Sequence, residues 1–443
     1  MKKYIDAVEK HTQRILEAER YIWKHPETGF KEKVTGKFME DTFRELGYEL
    51  TLAGNIPGFY TVIDTGRPGP CVLVLAELDS IICPQHPESD PETGAVHSCG
   101  HHAQCAGLIG LAAALKEPGI LDEMCGKIKL CAVPAEELLE IEYRSELKKQ
   151  GIIKYFGGKT EFMARGYFDD VDLAFMFHAT VNPMFCTTLK SVGCLAKKVT
   201  YKGKASHAGG SPWNGINALY AANCGLNAVN AIRETFMEAD VIRVHPIMTS
   251  GGSMVNAIPA EATLESYVRG LTYPAMVSAN KKVNRALIGA ALSLGANIDI
   301  DDFPGYAPNY NSVAMNDVAK DAHALIIPEY EFEAKQTTGS GSTDMGDLSF
   351  VMPTTHGYAP GAVGDSHGSE YYITDPISAC VGSAKIQLGM LYVLLKDDAA
   401  RAKEIVANHK SEFTIKSYLE YIDSLTNNGD RIEYKENEAV VKL

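Results

Sequence analysis

Residues 71–137 hold three segments in succession: CVLVLAELD (71–79), HSCGHHAQCAGLIGLAAALKE (97–117) and KIKLCAVPAEE (127–137). The first is a continuous apolar run of the length of a strand buried on both faces. The second turns through glycine into an Ala-, Leu- and Gly-rich stretch suited to a buried helix, and the third is another apolar strand, ended by two glutamates. Strand, helix and strand at this spacing predict a layered α/β domain, with polar residues gathered at the carboxyl ends of its strands. Further along, VDLAFMFH (171–178) supplies another such strand. Upstream, Ile5, Val8, Ile15, Ile22 and Trp23 fall near helical spacing among charges, which predicts an amphipathic first helix and not a leader peptide. A second helix, EKVTGKFMEDTFRELG (32–47), stops at Gly47.

The pattern changes near Cys186. LAKKVTYKG (195–203), DVIRVHPIMTSGG (240–252), ATLESYVRG (262–270) and NIDIDDF (297–303) read as strands. NGINALYAANCGLNAVNAIRET (214–235) and MVSANKKVNRALIGAALSLG (276–295) read as helices. The order β-α-β-β-α-β is that of a ferredoxin-like α+β module. After Pro304 the α/β character resumes, with a long apolar helix at 377–395 and a charged tail from Lys396 that predicts a surface helix and a short strand. The expected plan is a catalytic α/β domain in two parts, 1–186 and 306–443, interrupted by an inserted module over 187–305.

Composition limits the function. The 443 residues are 45% hydrophobic and 22% charged, as in a folded globular chain, and 42 basic against 56 acidic residues give a net charge of −14. That balance argues against nucleic acid or an anionic membrane as partner, although a pocket can still hold a local arginine. No apolar run approaches the ~18 residues of a membrane span. The ten cysteines are scattered without a C-x-x-C pair, the usage expected of reduced thiols in a cytoplasmic chain.

Chemistry concentrates in a few places. In His97-Ser98-Cys99-Gly100-His101-His102, Cys99 and His101 stand two apart around a glycine, so a thiolate and an imidazole can address one point. Glu136-Glu137 follows an apolar strand, where adjacent carboxylates suit metal-assisted water chemistry. His178 ends a third apolar strand, and His367 lies in the Gly-rich loop Gly364-Asp365-Ser366-His367-Gly368. Each motif alone also fits a solvated loop or a core histidine; together they suggest a metal centre. The last loop matches G-x-S-x-G as well, but Gly- and Pro-rich sequence replaces the strand and helix that a serine nucleophile elbow needs.

Assembled in order, HPETGFKEKVT, AELDS, HSCGHHAQCAGLIGLAAAL, VPAEE, GKASHAGGSPWNGINAL, GGSMVNAIPAEATLESYVRG and GSGSTDMGDLS resemble the dinuclear metallopeptidase clan of aminoacylases and carboxypeptidases. Within it they are most similar to the amidohydrolase branch of hippurate, indole-acetyl-amino-acid and aminobenzoyl-glutamate hydrolases. The resemblance implies a zinc-aminopeptidase-like catalytic domain with a mixed central sheet and an inserted ferredoxin-like lid domain that often dimerises. By resemblance, Cys99, His101, Glu137, His178 and His367 hold two divalent metal ions, Mn²⁺ or Zn²⁺, and Glu136 is the general base. His207 is then an oxyanion-side donor, and Asn256 and Arg269 bind a substrate carboxylate. The implied reaction is hydrolysis of an N-acyl or N-aroyl amino acid, with a dipeptidase or carboxypeptidase, or a non-catalytic metal-binding protein, as alternatives. The implied partners are a carboxylate-bearing small amide and a second copy of the chain. Departures from the branch pattern are Glu77 in place of aspartate in Glu77-Leu78-Asp79, Ile82 where a proline is usual, His102 after C-G-H, and Gln104 where a further histidine is common. His102 is thereby an additional candidate ligand.

Overall fold

The computed structural model describes residues 1–335 and 337–443. An eight-stranded mixed sheet runs in the spatial order Thr51–Leu52, Phe59–Asp64, Lys127–Val133, Cys71–Glu77, Leu173–Thr180, Thr354–Pro360, Phe185–Thr187 and Phe332–Ala334. Its four central strands, 127–133, 71–77, 173–180 and 354–360, are mutually parallel, so their carboxyl ends share one edge. All seven residues of Cys71–Glu77 are buried, as the unbroken apolar run requires of a strand covered on both faces.

One face of the sheet carries the helices Lys2–Glu9, Thr12–Trp23, Lys33–Glu45, His101–Leu115, Val313–Ile326 and Ser383–Asn408, joined in one apolar cluster. Helix His101–Leu115 is buried along its whole length because it lies between the sheet and the outer helices. Gly110 permits this: a Cβ there would stand 2.5 Å from Ile15 Cδ1 and 3.1 Å from Ala384 Cβ. The opposite face packs Phe156, Phe162, Met345, Leu348, Tyr418 and Ile422 in a second cluster.

The apolar helix expected at 377–395 starts as a π-helical turn, Ile377–Gly382, and runs on to Asn408, with a break at residues 396–399 where Asp397, Asp398 and Ala399 take positive φ. It is long and apolar enough to cross a membrane, but 83% of its apolar window is buried inside the protein, as in a core helix.

A second, antiparallel sheet holds Glu261–Gly270 and Gly193–Lys202 at its centre, flanked by Asn297–Tyr306 on one side and by Arg243–Val244 and Ile247–Ser250 on the other. Helices Ala218–Ala231 and Tyr273–Ser293 pack on it through Ala221, Ala222, Val229, Leu287 and Ile288. The stretch 240–252, expected as one strand, is two: Pro246 has no N–H to donate and separates them. The helix expected from Asn214 begins at Ala218, where the Asn217 side chain accepts from the Tyr220 N–H. The charged tail forms helix Ile415–Asp423 and a hairpin, Ile432–Tyr434 with Ala439–Val441. Residues 427–432 lie along the outer edge of the second sheet, where Arg431 donates to Ile300 O at 2.8 Å and Ile432 joins the module's core.

Candidate metal centre

The parallel strands deliver their polar residues to the shared carboxyl edge. Beyond Lys127–Val133 the chain turns at Ala135 in the left-handed region (φ 55°), and Glu136 and Glu137 follow at once. Gly100, at φ 101°, starts the helix that bears His101, and a Cβ there would meet Tyr371 Oη at 2.5 Å. His178 projects from the third strand and His367, at φ 66°, from a loop whose backbone N–H donates to Ser98 O.

These residues meet. Donor atoms of Cys99, His101 and His178, of Cys99, Glu137 and His367, and of Glu77, His101 and Glu136 form three groups, each within 4.8 Å. Cys99 and His101 each belong to two of them, so the three groups are contiguous. Cys99 Sγ stands 3.3 Å from His178 Nε2, and His367 Nε2 stands 2.9 Å from Glu137 Oε1. His101 Nδ1 is held by Asp79 O at 2.9 Å and Asp79 Oδ1 at 3.2 Å, which aims Nε2 at the cluster. That Nε2 is buried, makes no hydrogen bond among the described residues and lies 3.2 Å from Glu77 Oε2, within reach of the other donors. Asp79 Oδ2 also accepts from the Glu137 N–H at 2.8 Å, so one carboxylate orients two donors. A thiolate, three imidazoles and carboxylates are a fitting donor set for two divalent transition-metal ions.

The electrostatics separate the two glutamates. Burial, reinforced by Glu77, Glu137 and Asp344, holds the Glu136 carboxyl well above its usual range. Burial opposes ionisation of Glu137 too, but His367 and His101 outweigh it and bring the carboxyl down to about 2. Burial and Glu137 push the Cys99 thiol up, yet His101 and His178 prevail and leave it at about 6. One neighbour of the pair is therefore poised to hold a proton while the other stays an anion.

The centre opens into a cavity of about 430 Å³ lined by Leu138, Leu139, Tyr267, Tyr306 and Tyr358 as well as by the donors. Arg269 reaches it from strand Glu261–Gly270, donating to His245 Nε2 at 2.9 Å and Ser342 Oγ at 2.8 Å. Both partners are uncharged acceptors, so the guanidinium carries an unneutralised charge at the cavity wall. His207 and Asn256 lie elsewhere. Both are exposed, neighbours across a pair of short segments in which the Ala208 N–H donates to Asn256 O at 2.9 Å, and neither lines this cavity.

The departures from the branch pattern also find their places. His102 points away from the cluster, to Glu19 Oε1 at 3.2 Å and the Trp23 ring, so it is not a ligand of this centre. Gln104 donates to Glu77 Oε2 at 2.8 Å. Glu77 is bonded by Lys159 Nζ, which also bonds Asp344, with all three side chains at or below 1% exposure. Gly158 brings this lysine in, since a Cβ there would stand 1.7 Å from Pro134 O. Burial opposes ionisation of Glu77, but Lys159, His101 and His178 hold it well below the usual range. Sequence reading missed Lys159, Asp344 and His356: a lysine between glycines and a charged helix reads as surface. The sole available signal for His356 was its alternation with Tyr358 in TTHGYAP.

Known proteins are similar to this chain to differing degrees. The chain is 31% identical over 271 residues to Xaa-Arg dipeptidase of Mus musculus and 27% identical over 261 residues to indole-3-acetyl-aspartic acid hydrolase of Enterobacter agglomerans. These alignments take in 59% and 56% of this chain, and the chain spans 57% and 55% of the relatives' own lengths. A dinuclear metal-binding peptidase of the M20 family from Bacillus subtilis has the same fold, with a TM-score of 0.64 at 19% identity over 87% of this chain and 99% of that one. Residues 75–392, which contain Cys99, His101, Glu136, Glu137, His178 and His367, match Peptidase family M20/M25/M40, and the chain belongs to that family of metal-dependent hydrolases.

Proposed function

We propose that this chain hydrolyses the amide bond of an N-acyl or N-aroyl amino acid and releases the free amino acid. The observation that carries the reading is Arg269, an arginine without a carboxylate partner among the described residues, set in the wall of the cavity that holds the candidate metal donors. A planar carboxylate on the amine half of the substrate satisfies it bidentately. The cavity's acids are Glu136 and Glu137, both committed to the centre, so a cationic side chain finds no further counter-charge there, while Leu138, Leu139 and the tyrosines suit an apolar or aromatic acyl group. This weighs against a dipeptidase selective for a basic residue.

Cys99, His101, Glu137, His178 and His367 would hold two divalent cations, manganese or zinc, which when bound supply Lewis acidity toward water and the amide carbonyl. Glu136, its carboxyl beside His101 Nε2 at 3.9 Å, takes the proton of the attacking water and delivers it to the amide nitrogen as the C–N bond breaks. Arg269 fixes the substrate carboxylate. We also infer that residues 187–305 act as a lid on the 1–186 and 306–443 halves, and that two copies pair through it. Tyr220, Met254 and Val255, exposed at 64%, 61% and 101%, support that pairing. In such a dimer, or on lid closure, His207 and Asn256 come to serve as substrate-side donors.

The test is release of free amino acid from a panel of N-acyl amino acids, dipeptides and carboxylate-free amides, metal-stripped and with Mn²⁺ or Zn²⁺ restored. Metal-dependent turnover confined to carboxylate-bearing acyl amides is expected. Preference for dipeptides with basic residues, or turnover indifferent to the carboxylate, would overturn the substrate reading.

A further inference from the structure

His356 lies in strand Thr354–Pro360, in the sheet position beside the strand that bears His178: its register partner is Met176, and that of Tyr358, two residues on, is His178. Residues two apart on a strand share a face, and both His356 and Tyr358 line the cavity. The His356 ring centroid is 5.9 Å from that of His178 and 4.8 Å from that of Tyr358. The side chain is only 4% exposed, and Nδ1 is inaccessible and unpartnered. No side-chain hydrogen bond to either ring nitrogen exists among the described residues, although Asn311 fixes the backbone by accepting from the His356 N–H at 2.9 Å.

A buried imidazole without a partner is costly unless something completes it. At 4% exposure a charged ring would have to be desolvated, so burial favours the neutral imidazole, which carries one N–H. Leaving an acceptor unpaired costs less than leaving a donor unpaired, which places the bare lone pair on the inaccessible Nδ1 and the proton on Nε2. Nδ1 is inaccessible, whereas Nε2 is not among the buried unpartnered atoms and His356 lines the cavity, so Nε2 is the nitrogen left to face it. It is thus a neutral donor with no acceptor among the described residues, next to the His178 imidazole.

We propose that His356 is a catalytic residue that donates from Nε2–H to the carbonyl oxygen of the scissile amide as that oxygen becomes an oxyanion. It would supply from within one chain the donor that His207, exposed and outside the cavity, does not supply in this conformation. The proposal rests on the reading of the site as a metal-dependent amide hydrolase, and it holds whichever amide is cleaved.

The experiment compares wild type, His356→Phe and His356→Gln on whichever substrate the panel above identifies, with metal content and melting temperature measured for each. His356→Phe should lose on the order of 10²–10³-fold in kcat with KM within about threefold, while retaining its metal. His356→Gln, which keeps an N–H donor, should recover at least about tenfold of that loss. A tetrahedral phosphinate analogue should bind His356→Phe more weakly by the same factor as kcat/KM falls, and the product amino acid should bind it normally. Undiminished kcat, a rise in KM alone, or metal loss matching the loss of activity would each overturn the proposal. Wild-type inactivity on acyl amino acids would instead defeat the substrate reading, and His356 would then be measured on the amide that is cleaved.

Discussion

Glu136 and Glu137 are chemically identical neighbours whose carboxyls are pushed in opposite directions, because their partners differ. Glu137 faces His367 and His101, whereas Glu136 faces Glu77 and Asp344. Glu136→Gln preserves volume but removes the proton carrier. Turnover should fall by at least ~10²–10⁴-fold with two metal ions per chain retained, as read by elemental analysis beside the rate. Loss of the metal together with the rate would show that the two roles have been exchanged. Arg269 is tested differently. Arg269→Ala should raise KM about 10–10²-fold for carboxylate-bearing amides, the scale of a lost charge-assisted hydrogen bond, and leave carboxylate-free amides unchanged. Equal damage to both classes would remove Arg269 from substrate recognition. That Cys99, His101, Glu137, His178 and His367 are candidate metal donors was readable because each is a metal-binding type at a strand end or a glycine turn, and the structure brings their donor atoms together. Lys159 was not: nothing in FGGKTEFM distinguishes a lysine ion-paired in the interior from one in water, since burial is decided by what packs around it.

Helix His101–Leu115 shows how an element is read correctly and its packing only later. Its Ala, Leu and Gly content announced a buried helix, but why Gly110 is glycine emerges only where helix Thr12–Trp23 crosses it, at Ile15. Gly110→Val should cost about 1–3 kcal/mol by overpacking, seen as a lower urea midpoint with unchanged slope. Ile15→Val in that background should restore part of the loss, and additive damage would mean that the contact is unimportant. Other boundaries moved for local reasons. Pro246 split a strand, Asn217 capped a helix later than its apolar pattern suggested, and the core helix continued past Lys396 through a run of positive-φ residues.

At the scale of the molecule, the main-sheet half, the second-sheet module and the tail meet at a buried chain of hydroxyls. Tyr273 Oη lies 2.8 Å from Tyr418 Oη, and Tyr418 donates to Asp347 Oδ1 at 2.6 Å. Burial lifts the Asp347 carboxyl to about 7, against the Tyr418 hydrogen bond that favours its anion. The folded state therefore binds this proton more tightly than the unfolded chain. Its contribution to stability is present at pH values below the unfolded carboxyl's and declines as pH rises toward 7. Tyr418→Phe removes the donor that stabilises the charged form. It should lower stability by about 1–3 kcal/mol at pH 8, and by less at pH 5.5, where the carboxyl is protonated. An equal loss of melting temperature at both pH values would show that the hydroxyl does not serve Asp347.

The alternation of apolar strands and helices and the metal-type residues at strand ends are local properties, set by periodicity, by turn residues and by side-chain chemistry. They were determined by the sequence alone. Which donors meet, which glutamate is pushed toward its protonated form, that His102 turns away to Glu19 while His101 turns in, and that His356 Nδ1 is buried without a partner depend on contacts between residues far apart in the chain. Those contacts exist only once the sheet has brought four strand ends to one edge. There, low dielectric and fixed neighbours, absent from the extended chain, give identical residue types different charges and different work.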